Sequence, residues 1–242
     1  MSKKFEYKVN GKTLGVLGGI GPEASVCIYQ RIVKIAQDVY GAQQDSDYPP
    51  ILIYNLPLKG FDETGFVDKD LVKKQLIEGL KKLENAGSDF IVIACNTVYY
   101  FYEDMQNSIN VPIVNLIEKT IDQVLNEGFK KVAILNSEST KNLKLYENMA
   151  ISKGIEPVLS TDKEQEIINN IILTVMSGSN GEKEVILLKK IIDRMVSEGA
   201  EAVVLGCTEL PIAIKKEDIS PLSLFDTISI AGEEVLIKAY LK

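Results

Sequence analysis

Gly87-Ser-Asp-Phe-Ile-Val-Ile-Ala-Cys95-Asn96-Thr97 runs an apolar strand directly into a thiol, an amide and a hydroxyl. A second stretch, Gly199-Ala-Glu-Ala-Val-Val-Leu-Gly-Cys207-Thr208-Glu209, repeats the order, with glycine eight residues before cysteine in both. Short unbroken apolar runs bounded by turn residues suit strands buried on both faces of a parallel sheet. In such sheets ligands bind outside the carboxyl ends of the strands. The repeat therefore predicts two thiols beside one ligand.

Outward from these stretches, residues 13–17 form another apolar run, closed by Gly18-Gly19-Ile20-Gly21-Pro22 and followed at helical spacing by Ala24, Ile28, Ile32 and Ile35. Pro22 suits a first helical turn, where its missing N–H costs nothing. Next come an expected strand at 51–55, a loop at 59–68, an amphipathic helix through Leu71, Leu76, Leu80 and Leu83, and the strand at 90–94. A helix at 98–105, a short strand at 111–115 and a helix near 118–126 complete this half. At Lys131 the opening pattern restarts with a strand at 131–135, a polar turn at 136–140 and a helix carrying Leu143, Tyr146 and Met149. Strand 155–159, helices 167–176 and 185–197, strand 202–205, a short strand at 222–225 and a helix at 228–240 follow.

Strands alternating with helices specify an α/β fold with mostly parallel sheets, and the restart points to two similar lobes. The cysteines of the two stretches are 112 residues apart. In a crossed-over arrangement the last helix returns to the first lobe. One lobe is then 1–115 plus 226–242, carrying Cys95, and the other is 116–225, carrying Cys207.

Composition narrows the function. With 45% hydrophobic and 25% charged residues the chain reads as a globular enzyme. No apolar run reaches the ~18 residues of a membrane span, and the opening Met1-Ser-Lys-Lys lacks a signal-peptide apolar core, so a cytoplasmic location is expected. A net charge of -7 argues against a nucleic-acid partner. Three scattered cysteines and no histidine give neither a disulfide framework nor a usual zinc pattern, and exclude every Ser-His or Cys-His pair.

Gly19-x-Gly21-x-x-Ala24 formally matches a dinucleotide fingerprint, but the next strand ends in Asn55-Leu56-Pro57 with no acidic residue for a ribose. What remains is a glycine turn whose amides face a carboxylate or phosphate at a helix N-terminus. Cys27, inside the first helix, reads as a small core residue. Cys95 and Cys207 each end a strand at a helix entrance, where dipole and N–H groups favour a thiolate. Two such thiols across a cleft suit a paired proton transfer, in which one removes a proton from a carbon acid and the other returns a proton on the opposite face. Asn96, Thr97, Thr140 and Thr208, with Gly19 and Gly21, are candidates to hold the substrate's α-carboxylate. The threonines at the strand ends could instead cap helices. Glu209 could accept from a substrate ammonium or stabilise a helix start.

These motifs resemble the aspartate/glutamate racemase family, the cofactor-independent racemases. Leu17-Gly-Gly-Ile-Gly-Pro22 looks like the family's opening glycine motif, Cys95-Asn96-Thr97 its first cysteine motif and Gly206-Cys207-Thr208-Glu209 its second. The glutamate after Cys207-Thr208 is similar to the aspartate racemase branch. The resemblance implies an active site in the cleft between the lobes, one catalytic thiol from each, no metal and no cofactor, an amino-acid substrate and a homodimer. Tyr99 stands where many relatives have histidine.

Two departures bear on substrate. Where the family has an arginine for the distal carboxylate, the loop reads Phe61-Asp62-Glu63-Thr64, and Met176 stands where a lysine helps the same grip. Glu63 beside the substrate would repel an anionic side chain. The expectation is an amino-acid racemase acting on aspartate or another amino acid, the two departures favouring a neutral or cationic side chain over aspartate unless Lys59 takes the arginine's place. Rival readings are a hydantoin racemase or another cysteine-dependent isomerase or decarboxylase, and a non-catalytic two-lobed amino-acid binding protein.

Overall fold

Strands without polar alternation must be covered on both faces. The structure, a computed structural model describing residues 9–62, 65–179 and 181–240, covers them in two separate parallel sheets. The first half of the chain gives β1 (Leu14–Gly18), α1 (Pro22–Asp38), β2 (Ile51–Asn55), β3 (Phe61–Asp62), β4 (Gly65–Phe66), α2 (Lys69–Asn85), β5 (Phe90–Ile93), α3 (Tyr102–Gln106) and α4 (Leu116–Asn126). The second gives β6 (Lys131–Leu135), α5 (Glu138–Asn142), α6 (Leu145–Ser152), β7 (Glu156–Leu159), α7 (Asp162–Met176), α8 (Glu182–Ser197), β8 (Ala202–Leu205), α9 (Leu210–Ala213), β9 (Ser223–Asp226) and α10 (Thr227–Tyr240). Sheet order is β2-β1-β5 in the first and β7-β6-β8-β9 in the second. The run β7-β6-β8 repeats β2-β1-β5, which is the structural form of the restart at Lys131.

The faces of the second sheet divide the core. Ala133, Leu135, Val203 and Leu205 cluster with Ile168 and Ile172 of α7 and Leu188 and Ile192 of α8. Val132, Ile134, Ala202 and Val204 join a core that continues through α4 and α6 to the first sheet. The last helix, α10, crosses back to pack along α1. Gly232 permits that approach, since a Cβ there would lie 3.0 Å from both Arg31 Cγ and Ile35 Cδ1. Tyr240 closes the contact by stacking on Tyr40 at 4.5 Å. No helix among the described residues is long and apolar enough to cross a membrane.

Several expectations differ in detail. Residues 111–115 form a single bridge, Ile91 to Ile113, because Pro112 has no N–H to extend a ladder. Residues 98–105 are not one helix: a 3-10 turn over Thr97–Phe101 precedes α3. The helix expected through Leu143 and Met149 is split by Lys144, whose φ of 53° ends α5 and starts α6. The expected loop at 59–68 contains the β3-β4 hairpin, whose tip, Glu63 and Thr64, lies outside the described residues, so the role expected of Glu63 has no structural account.

Candidate active site

Strand register delivers the site. Pairing of β1 with β5 sets Leu17 beside Ile93, so the glycine turn and Cys95 leave the first sheet at the same edge. Pairing of β6 with β8 sets Leu135 beside Leu205, so the turn ending at Thr140 and Cys207 leave the second sheet together. Both edges open on one cavity of ≈ 530 Å³, lined by Cys95, Asn96 and Thr97 from the first and by Thr140, Cys207, Thr208 and Glu209 from the second, with Gly19 and Gly21. The thiols are 8% (Cys95) and 7% (Cys207) exposed, nearly dry yet facing the cavity.

Glu209 organises the second edge. Its Oε2 accepts from the Cys207 thiol at 3.0 Å and from the Thr208 hydroxyl at 3.0 Å. Its Oε1 reaches under the first edge, where a Cβ on Gly21 would lie only 2.6 Å from it. Gly21 also has φ +81°, so both conformation and space require glycine. Gly19, at φ +83°, answers to packing: a Cβ there would meet the Leu56 backbone nitrogen at 2.6 Å. Its N–H, expected to face a ligand, instead donates to Ser25 Oγ at 3.0 Å. The contribution of Gly19 to the cavity is therefore one of shape.

The hydroxyls stitch the edges together. Thr97 Oγ1 and Thr140 Oγ1 are 2.8 Å apart, and Ser137 Oγ lies 3.0 Å from Thr140 Oγ1 while accepting the Thr140 N–H as the cap of α5. Neither Thr97 nor Thr208 caps a helix: Thr97 bonds across to Thr140, and Thr208 to Glu209. The Asn96 carboxamide is engaged at both ends, donating to Thr227 Oγ1 at 3.2 Å and accepting from the Tyr146 hydroxyl at 3.0 Å. Tyr99 is buried and donates to the Val114 carbonyl at 2.8 Å; burial pushes its hydroxyl pKa well up. Its hydroxyl belongs to the scaffold.

The helix entrances differ from expectation. The segment after Cys95 is a five-residue 3-10 turn and α9 has four residues. A macrodipole needs several turns of aligned peptides, so little of it acts on either thiol. Ser137 and Tyr146 are the polar groups that sequence reasoning missed. Ser137 had a signal in the polar turn before α5, whereas Tyr146 read only as an apolar helix position. Its ring also lies where a Cβ on Gly206 would come within 2.7 Å, which places it behind the Cys207 strand end as well as behind Asn96.

The rest of the wall is mostly apolar, with Asp62 its one carboxyl group among the described residues. Leu58 and Phe61 follow β2, Leu173 and Met176 belong to α7, and Asp62 stands beside Phe61. A second cavity, ≈ 630 Å³, is larger but lined by Cys27, Arg31, Lys215 and Asp226, with neither strand-end thiol in it. Burial and the nearby Glu23 push the Cys27 thiol up, which makes it a poor nucleophile. Among the described residues no group of three or more His, Cys, Asp or Glu side chains is placed to hold a metal ion.

Residues 17–235 match the model of the family described as Asp/Glu/Hydantoin racemase. The broad specificity amino-acid racemase RacX of Bacillus subtilis (strain 168) is 30% identical over 197 residues, covering 81% of this chain and 85% of that one. An aspartate racemase homologue from Pyrococcus horikoshii OT3 superimposes with a TM-score of 0.80 at 34% identity, over 94% of this chain and 99% of that chain. The Picrophilus torridus aspartate racemase shares the fold at 23% identity, with a TM-score of 0.79 over 95% and 94% of the two chains. With the family's match running through both sheets and both thiol stretches, the chain belongs to the Asp/Glu/Hydantoin racemase family.

Proposed function

We propose that the protein is an amino-acid racemase in which Cys95 and Cys207 are an acid–base pair that inverts the α-carbon without a cofactor. The observation that carries this reading is the single cavity onto which both nearly buried thiols open from different sheets. In one direction Cys207 passes its proton to Glu209, and the thiolate takes the α-proton from one face of the substrate. The Cys95 thiol then gives its proton to the opposite face of the carbanion, leaving Cys95 as thiolate. The forward turnover thus leaves Glu209 protonated and Cys95 ionised, and after product release solvent carries that proton from Glu209 to the Cys95 thiolate, which restores the starting state. The reverse direction starts from ionised Cys95 and protonated Glu209: Cys95 takes the α-proton, the Cys207 thiol gives its own to the opposite face, and Glu209 returns a proton to Cys207 across their hydrogen bond.

Glu209 supports its part in this scheme by already holding the Cys207 proton in a hydrogen bond. The hydroxyls of Thr97 and Thr140 are donors for the α-carboxylate, where negative charge develops as the α-proton leaves, and Thr208 joins them by turning its hydroxyl proton from Glu209 to the substrate. Asn96 acts through the wall, pinned by Tyr146 and Thr227. In this reading the working bodies are the lobe of residues 1–115 with 226–242 and the lobe of residues 116–225, with chemistry between them. Incubation of single enantiomers in heavy water tests it: the enzyme is expected to produce the opposite enantiomer carrying deuterium at the α-carbon. Ligand-induced stabilisation with no exchange would indicate a binding protein instead.

A further inference from the structure

We infer that the substrate's side chain is neutral and largely apolar, of the size of leucine or methionine, and not a second carboxylate; this rests on the racemase reading of the cavity. The wall beyond the strand-end cluster decides it. Leu58 and Phe61 contribute from the segment after β2, and Leu173 and Met176 from the end of α7. Phe61 is held in place by a chain of rings, with Phe66 at 5.1 Å and Phe101 a further 5.0 Å from Phe66. Leu173 and Met176 are 51% and 41% exposed, high values for large apolar side chains on a cavity wall. An apolar substrate side chain laid against them would remove that surface from water.

Charge points the same way. Among the described residues no lysine or arginine lines this cavity, and its ionisable carboxyl groups are Asp62 and Glu209. Among the described residues, the lysines that flank the lining segments lie outside the lining itself. Lys59 is exposed and outside the lining, with its backbone clamped to the Gln75 side chain at 2.8 and 3.2 Å. Lys69 lies over the Tyr100 ring at 4.5 Å, and Lys141 donates to the Ser160 carbonyl at 2.7 Å. A substrate with a second carboxylate would lose water and, among the described lining residues, meet carboxyl groups and no cation. A leucine or methionine side chain loses nothing by entering and gains the apolar wall.

The test is kcat/KM for α-proton exchange with L-leucine, L-methionine, L-lysine, L-aspartate and L-glutamate, for the wild type and for Met176→Lys. Leucine and methionine are expected to exceed aspartate and glutamate by at least about tenfold, a discrimination of the size apolar pockets give. Met176→Lys, made at a half-exposed side chain, is expected to reduce that ratio by about tenfold by supplying a cation at the wall. Preference for aspartate or glutamate, or for lysine through Asp62, overturns the inference and leaves the racemase reading intact. An unchanged ratio in Met176→Lys overturns the assignment of this wall to the side chain. Exchange with none of the five overturns the racemase reading itself.

Discussion

A carboxylate that is 5% exposed needs donors, and Glu209 finds them in the Cys207 thiol and the Thr208 hydroxyl. In the proposed mechanism that contact makes Glu209 the proton acceptor for Cys207, and it predicts the behaviour of Glu209→Gln. The amide is close in shape but a much weaker proton acceptor, so kcat should fall about 10²-fold or more, with KM and thermal midpoint little changed. Wild-type kcat in this variant would remove Glu209 from the proton path. At this scale the cysteines and their immediate neighbours were legible, because motif order along the chain fixes which residues follow each strand. Tyr146 and Ser25 were not. Their roles depend on a hydroxyl reaching Asn96 across 50 residues and on an amide at Gly19 turning inward, and no local pattern encodes either.

Elements hold these residues at the right height. The alternation of strand and helix, and the central strands, were legible since strands buried on both faces must be apolar throughout. The helix breaks were less so: Lys144 adopts a left-handed φ that the sequence, with lysine rather than glycine there, does not advertise. The start of α7 lay earlier than its apolar spacing suggested, at the capping box of Thr161 and Glu164. Burial opposes ionisation of Glu164, but hydrogen bonds from Arg194 and Thr161 outweigh it and hold the carboxyl below its ordinary value. The resulting stability is fully present above the unfolded pKa of about 4.3 and is lost as pH falls through the lower folded value. Urea midpoints should therefore show wild type above Glu164→Gln at pH 7, with the gap closing below about pH 4. A gap independent of pH would mean the ion pair contributes nothing through its charge.

At the scale of the whole molecule, the repeated order of β2-β1-β5 and β7-β6-β8 gives two edges of similar construction, and their meeting makes one cavity from two ordinary strand ends. The repeat was readable from the glycine-to-cysteine spacing. The shared core through α4 and α6 was not, because which face of a fully apolar strand meets which layer is set only when the sheets pack. The return of α10 to α1 depends on close approach at Gly232. Gly232→Leu gains about 0.8 kcal/mol of helix propensity but overpacks this contact at a cost of about 1–3 kcal/mol. Its urea midpoint should drop while the folded enzyme keeps its activity, and a raised midpoint would show that α10 and α1 are not closely packed there.

The central claim is that both thiols carry the proton transfer, each on its own face of the substrate. Racemisation by Cys95→Ser and Cys207→Ser, measured separately on an amino acid the wild type racemises, tests it most directly, because a serine hydroxyl keeps the shape while giving up the accessible thiolate. Each variant should lose about 10²-fold or more of the racemisation rate while its melting midpoint stays close to that of the wild type. Full activity in either variant would contradict the two-thiol account.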